Sequence, residues 1–298
     1  MKRSCWIIIL SLILALLSGC AQKQPPADIA ATTLPVYEFT SRIIAGSGLT
    51  VTRLVTENVS CLHDYSLNVR QTKAAEGADV IVISGAGLED FMADLLQNKQ
   101  TIDASSGVAL LESCHHHDHD GHDHHEAHDD HNTQFDSHIW LSAANASVMA
   151  RNICDGLIQQ YPEHEGLFLK NLTTLLAEIQ ALDDYARIAL PNLEHTEIIT
   201  FHDGFSYLAD WCGVEIVKAI EEEAGAEASA AELIEIIGLI EAHQIRVIFT
   251  ETNGSCSGAS VIAAETGAKL YTLDMAMSGD SWFDAMYHNI DTLKEALS

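Results

Sequence analysis

Short apolar runs alternate with longer amphipathic stretches along most of the chain, a rhythm typical of parallel α/β proteins. The short runs predict β-strands at residues 29–35, 49–55, 78–83, 197–201, 214–220, 246–250 and 269–273. Apolar residues at helical spacing predict helices at 36–45, 66–77, 88–98, 142–161, 163–190, 204–212, 229–243, 257–266 and 282–297. The pattern therefore indicates an α/β protein with two Rossmann-like lobes, each built on a parallel sheet.

The longest amphipathic stretch, residues 163–190, lies between Pro162 and Pro191. Its apolar residues recur at alternating spacings of four and three, which is the period of a helix. They are Phe168, Leu172, Leu175, Ile179, Leu182 and Ala186. We expect a long rigid helix that joins an N-terminal lobe at 29–162 to a C-terminal lobe at 191–298.

The first 28 residues have the pattern of a targeting segment. Residues 1–19 combine a charged start with an apolar stretch too short to span a bilayer, which indicates a signal peptide. The Leu-Ser-Gly-Cys sequence that ends at Cys20 resembles a bacterial lipobox, in which the cysteine is lipidated. Residues 20–28 are then expected to form a lipid-anchored tether. We therefore expect an extracytoplasmic chain, anchored to the cell membrane through Cys20.

A tract at 115–131 contains nine histidines and six carboxylates, with one alanine as its only apolar residue. Such a tract cannot form a packed core. Imidazole suits zinc, copper and nickel, so the tract is predicted to be an accessory metal-collecting loop, the alternative being a solvated spacer. Its histidines are His115, His116, His117, His119, His122, His124, His125, His128 and His131.

The net charge of −28 indicates a strongly acidic molecule. Such a surface repels nucleic acid and concentrates cations, although acidity can also serve solubility alone. We expect a monomer that does not bind nucleic acid.

Five cysteines follow Cys20, and none has CxxC spacing, which makes a cysteine zinc site a poor prediction. An oxidising exterior permits disulfides, and the sequence leaves the pairing open. These cysteines are Cys61, Cys114, Cys154, Cys212 and Cys256.

Four potential metal ligands stand at or just beyond predicted strand ends: His63, His138, His202 and Asp274. Ligands of open α/β sheets collect at the carboxyl ends of the strands, so two facing lobes would bring these residues into one cleft. Three imidazoles and one carboxylate form a tetrahedral set that suits Zn²⁺. The pattern predicts a zinc site between the lobes, with neighbouring aspartates as acceptors that fix the imidazole tautomers. The candidates for that role are Asp64, Asp136 and Asp203.

Several segments that carry these residues resemble the metal-binding lipoproteins of bacterial zinc/manganese ABC-uptake systems. They are Leu62-His63-Asp64-Tyr65, Asp136-Ser137-His138-Ile139-Trp140-Leu141, Phe201-His202-Asp203-Gly204-Phe205-Ser206-Tyr207-Leu208, Arg246-Val247-Ile248-Phe249-Thr250-Glu251 and Leu273-Asp274. The resemblance implies zinc capture and delivery to a membrane permease driven by a cytoplasmic ATPase. The His-rich insertion and His202 point to the zinc branch. In other members a carboxylate or water completes the site, which makes Glu251 the reserve ligand beside Asp274.

Three alternatives remain open. A manganese or iron carrier of the same architecture would need more oxygen ligands than three histidines leave room for. A secreted zinc hydrolase would need an open coordination position and a base such as Glu251, and the sequence has no HExxH motif. An adhesin or metal buffer without a transporter is the third. We expect no enzyme activity, and zinc binding that weakens below about pH 6, near the ordinary histidine pKa.

Overall fold

The computed structural model describes residues 26–59, 62, 65–112, 135–191, 193–221, 228–252 and 257–298. It contains two four-stranded sheets in which every pairing is parallel. The first has the order β2-β1-β3-β4 and consists of β1 (Ile29–Ala31), β2 (Val51–Arg53), β3 (Val80–Ile83) and β4 (Gln100–Asp103). The second has the order β6-β5-β7-β8 and consists of β5 (Glu197–His202), β6 (Glu215–Glu221), β7 (Val247–Glu251) and β8 (Lys269–Leu273). The predicted fold of two parallel α/β lobes is confirmed.

Helices cover both sheets. Those that precede the second sheet are α1 (Leu34–Ile43), α2 (Val69–Gly77), the short α3 (Ala93–Leu96), α4 (Ala143–Gln160) and α5 (Glu165–Ala189). Those that follow β5 are α6 (Ser206–Cys212), α7 (Ala230–His243), α8 (Ser257–Thr266) and α9 (Trp282–Leu297). Reciprocal capping boxes start α2 at Asn68 and α7 at Ser229, where the cap side chain and the N3 side chain each satisfy a backbone N–H.

The connecting helix α5 follows a single 3₁₀ turn at Pro162–His164. Its buried residues are the six apolar positions that the sequence pattern assigned to one face. This face packs against α1 and α4 of the first lobe and α9 of the second lobe, so α5 contacts both lobes.

In the described residues, the larger differences from the sequence prediction lie in the first lobe. The first strand ends at Ala31, because Pro35 stands in the first turn of α1 and suits a helix start. The helix expected at 88–98 is a 3₁₀ turn at Asp90–Met92 followed by α3. The sequence pattern missed β4, an edge strand of mostly polar residues.

The two lobes share one apolar core, and hydrogen bonds cross between them. The indole of Trp140 donates to Met275 O at 2.7 Å, and the indole of Trp282 donates to Trp140 O at 3.1 Å. Leu34 N donates to Met277 O at 3.2 Å. All four side chains of Trp140, Trp282, Leu34 and Met277 are buried in the same cluster. A continuous core of this kind holds the lobes in one relative orientation.

Several predicted features lie outside the described residues: the signal segment with Cys20, His63, the tract at 115–131, and Cys61, Cys114 and Cys256. The two described cysteines, Cys154 and Cys212, are buried free thiols. Among the residues that the structure covers, no helix is long and apolar enough to cross a membrane.

Candidate metal site

The second sheet ends in two buried polar residues on neighbouring strands. His202 is the last residue of β5 and Glu251 is the last residue of β7. The chain runs from β5 outward to β6 on one side and to β7 on the other, so the two residues lie at the point where the strand order reverses. Crevices for ligands open at this point in parallel α/β sheets. His202 is 2% exposed, which places the imidazole within the protein.

His138 approaches the same point from the first lobe. Its ring centroid lies 5.6 Å from that of His202, with the two ring planes nearly perpendicular. His138 was expected at a strand end, but in the described residues it directly precedes a 3₁₀ turn at Ile139–Leu141. All three residues of that turn are fully buried, and Trp140 packs edge-on against the His138 ring. The buried turn therefore fixes the position of this imidazole.

Asp136 fixes the tautomer of His138. One carboxylate oxygen, Oδ1, lies 2.8 Å from His138 Nδ1 and accepts a hydrogen bond from His138 N at 2.8 Å. Nδ1 must therefore carry the proton when the ring is neutral, which leaves Nε2 with a lone pair. Within the described part of the chain, His138 Nε2 has no hydrogen-bond partner. Among the aspartates considered for this role, Asp136 is in the required position, and Asp64 lies outside the described residues.

The Asp136 segment is itself held by the second lobe. Tyr207, on α6, donates its hydroxyl hydrogen to Asp136 O at 3.0 Å and accepts a hydrogen bond from Leu111 N at 2.9 Å. Burial raises the pKa of Tyr207 to about 12, so the hydroxyl remains a donor at all physiological pH values. Tyr207 thus ties the His138 segment to the helix that directly follows His202.

Burial and charge act in opposite directions on the His138–Asp136 pair. Burial alone lowers the pKa of His138, but the charge and hydrogen bond of Asp136, with the charges of Glu251 and Asp203, outweigh it and raise that pKa above its ordinary value. For Asp136, burial raises the pKa, and the interactions with His138 outweigh burial and lower it. A proton therefore competes with a metal at His138 at a higher pH than at an ordinary histidine.

Asp274 follows β8 directly and lies in a tightly bonded turn. Its Oδ1 accepts from Ala276 N at 2.7 Å. The side chain of Asn289 bonds to both backbone groups of Asp274, accepting from N and donating to O, each at 2.7 Å. These bonds orient the carboxylate and leave it lone pairs for further interactions.

The structure brings together only part of the predicted ligand set. His138 and His202 are adjacent, and the charge of Glu251 acts on His138. Over the described ranges, no group of three or more His, Cys, Asp or Glu residues has an arrangement that could hold one metal ion. His63 lies outside those ranges, and the assignment of the full set stays a prediction. Sequence reasoning gave no role to Gly204, although its position two residues after His202 was visible.

The fold and the buried pair of histidines define a two-lobed α/β binding protein with a candidate metal site between the lobes. The sequence profile of the family described as "Zinc-uptake complex component A periplasmic" matches residues 29–296. The chain therefore belongs to this ZnuA family of solute-binding transport proteins.

Relatives with similar sequence carry zinc in their names. The chain is 30% identical over 288 residues to the high-affinity zinc uptake system protein ZnuA of Bacillus subtilis (strain 168), covering 92% of this chain and 89% of that protein. It is 29% identical over 311 residues to the zinc-binding lipoprotein AdcA of Streptococcus pneumoniae serotype 4 (strain ATCC BAA-334 / TIGR4), covering 97% of this chain. The match spans only 60% of AdcA.

The crystal structure of the Zn(II)-bound ZnuA-like domain of Streptococcus pneumoniae AdcA superposes with a TM-score of 0.73 and 26% identity. The match covers 91% of this chain and 98% of that domain. The part of AdcA that this chain resembles therefore includes a domain solved with zinc bound.

Proposed function

We propose that this protein captures Zn²⁺ outside the cytoplasmic membrane and delivers it to an ABC permease driven by a cytoplasmic ATPase. The observation that carries the proposal is the pair of buried imidazoles at the strand-end crevice. One of them, His138, has its tautomer fixed so that Nε2 is available for a metal. Membership of a family described as a component of a zinc-uptake complex supports zinc as the cargo.

The proposed ligands are His63, His138, His202 and Asp274, with Glu251 in reserve. A set of three imidazoles and one carboxylate occupies all four positions of tetrahedral Zn²⁺. No position then remains for a reactive water, so we infer capture and release of the ion and no catalysis. Manganese and iron, which favour more oxygen ligands, would bind less tightly to this set.

Anchoring and delivery follow from other parts of the chain. We infer a lipid on Cys20, as in relatives named lipoproteins, which would keep the protein beside the permease. The tract at 115–131 ends seven residues before His138 and would collect zinc for the cleft or cover it. The core that spans both lobes supports delivery through small lobe movements, without a wide hinge.

His202→Ala tests the proposal against a control histidine, His243, which lies on α7 beside the opposite end of the same strand. His202 ends β5, whereas the exposed His243 contacts Glu197 at the start of β5 with Nδ1 3.1 Å from Oε1. Competition with a chelator measures the zinc affinity of each metal-free protein. We expect His202→Ala to weaken zinc binding more than about 100-fold. This exceeds the effect of removing a residue that only hydrogen-bonds to a metal ligand. His243→Ala should keep the affinity within about twofold.

Two results would count against the proposal. Equal affinities in His202→Ala and the unaltered protein would remove His202 from the site. Tight binding of Mn²⁺ in preference to Zn²⁺ by the unaltered protein would replace zinc with manganese as the cargo.

A further inference from the structure

Met275 and the two candidate ligand imidazoles border the same space beside Gly204. A Cβ atom built on Gly204 would lie 2.8 Å from Met275 Cε, 2.9 Å from His202 Cδ2 and 3.1 Å from His138 Cε1. The methyl end of Met275 and the two rings therefore surround one small volume beside Gly204. That volume has no room for a methyl group, because ordinary carbon contacts are longer than these distances.

The position of Met275 is fixed by its backbone. Its carbonyl accepts the indole hydrogen bond of Trp140, the residue that also packs on His138. On either side of it, Asp274 is held by Asn289, and Ala276 N is bonded to the Asp274 carboxylate. Ala276 has a positive φ of 53°, an uncommon conformation for a residue other than glycine. The side chain of Met275, 5% exposed, thus enters the crevice from a turn with little freedom.

We propose that Met275 determines the metal preference of this site by closing the face beside the two imidazoles to oxygen ligands. The inference rests on the proposed zinc-binding function and adds a residue to it. The Met275 side chain presents a methyl and a thioether, neither of which is a ligand for a hard cation. An apolar group at this position also controls the access of water to the metal.

The chemical consequence differs between metals. Tetrahedral Zn²⁺ is complete with four protein ligands and needs no water. Mn²⁺ favours octahedral oxygen coordination and would need additional oxygen atoms from water or side chains. Met275 withholds such oxygen atoms on the side that it covers, so it disfavours Mn²⁺ more than Zn²⁺.

The test compares Met275→Gln with Met275→Leu. Glutamine has a similar length and adds an oxygen ligand, whereas leucine keeps an apolar group of similar volume. Chelator competition with metal-free proteins gives the ratio of Mn²⁺ to Zn²⁺ affinity. We expect Met275→Gln to raise this ratio about tenfold or more, in the range of changes near metal ligands. Met275→Leu should keep the ratio of Mn²⁺ to Zn²⁺ affinity within about twofold of that of the unaltered protein.

Co²⁺ absorption provides a second measurement that a purely structural role would not change. Four-coordinate Co²⁺ absorbs strongly in the visible range, and six-coordinate Co²⁺ absorbs weakly. We expect the strong spectrum with methionine or leucine and a weaker one with glutamine.

The inference is overturned if Met275→Gln leaves the metal ratio within twofold, or if Met275→Leu shifts it as far as glutamine does. Either result would leave one tight zinc in the unaltered protein, and the proposed function would stand. Absence of tight zinc binding in the unaltered protein would overturn both.

Discussion

The two sheets have the same strand order, but they use their strand-end crevices differently. In the second lobe, β5 and β7 end at His202 and Glu251, within reach of His138 from the first lobe. In the first lobe, the corresponding crevice between β1 and β3 is filled by the chain itself. There the carboxylate of Glu89, 3% exposed, accepts hydrogen bonds from Ser84 N at 2.8 Å and Gly85 N at 3.0 Å.

The loop after β3 makes this difference. Gly85 has a φ of +83°, and a Cβ there would lie 2.0 Å from Asp103 Oδ1, so only glycine fits the turn. The turn brings Glu89 back onto the strand ends, where Thr32 Oγ1 also donates to it at 2.6 Å. A fold therefore offers crevices, and the loops decide which of them can take a ligand. The first lobe contributes His138 from outside its sheet instead.

Two variants test this difference between the strand-end crevices of the two lobes. Asp136→Asn is expected to have the larger effect on zinc affinity. An amide at position 136 is an uncharged and weaker acceptor for His138 Nδ1–H, and the variant also removes a nearby negative charge. We expect zinc affinity near pH 8 to fall about 10- to 100-fold, as for other partners behind a metal ligand. Asp183→Asn is the control, because Asp183 lies on the connecting helix and accepts a hydrogen bond from the indole of Trp211.

The pH dependence gives this variant a second readout. Asp136 raises the pKa of His138. As the pH is lowered, zinc binding in the unaltered protein should therefore begin to weaken at a pH higher than the ordinary histidine pKa of about 6.5. In Asp136→Asn, only the charges of Glu251 and Asp203 oppose the effect of burial, so that pKa falls and the onset should move to lower pH. The sequence-based expectation of weakening below about pH 6 is thereby shifted upward. An unchanged onset would contradict the role given to Asp136.

A smaller effect is expected for Glu89→Gln, which leaves zinc affinity within about twofold. Burial raises the pKa of Glu89 from 4.5 to about 7, despite the hydrogen bonds that oppose the rise. The folded state then holds the proton more tightly than the unfolded state. This tighter proton binding stabilises the folded state by roughly 3 kcal/mol below about pH 4.5, and the stabilisation is lost as the pH rises through 7.

Chemical denaturation at a series of pH values measures that contribution. In Glu89→Gln, the amide NH₂ group would face one of the backbone N–H groups that donate to Glu89, and two donors cannot form a hydrogen bond with each other. The folded protein should therefore be less stable overall, and its stability should lack this part of the pH dependence. The exposed control Glu76→Gln should retain the dependence of the unaltered protein. A strong loss of zinc affinity in Glu89→Gln would show that the two crevices are not separate in function.

Much of this architecture could be predicted from the sequence, because burial imposes a period on apolar residues. The strand β3 and the six buried positions of α5 carry that signal directly. β4 lacked it, since an edge strand with exposed residues needs no apolar run. The placement of Met275 beside the imidazoles also lacked a signal, because it arises from the approach of distant segments to Gly204.

The candidate site was predictable in composition and less so in geometry. His202 ends its strand as expected, whereas His138 is placed by a buried turn and by Asp136, not by a strand. The role of Asp136 depends on its side chain turning toward the ring of His138, two residues along the chain. No hydrophobic periodicity encodes that direction. The inward-facing Glu89 went unnoticed for the same reason.

We propose that a folded site between the lobes, and not the His-rich tract, holds the tightly bound metal. Deletion of residues 115–131 tests it most directly, with the zinc stoichiometry measured in the presence of a competing chelator. We predict one tightly bound zinc per chain after the deletion, with only weaker binding lost. Disappearance of all tight binding in a folded deletion variant would contradict the account.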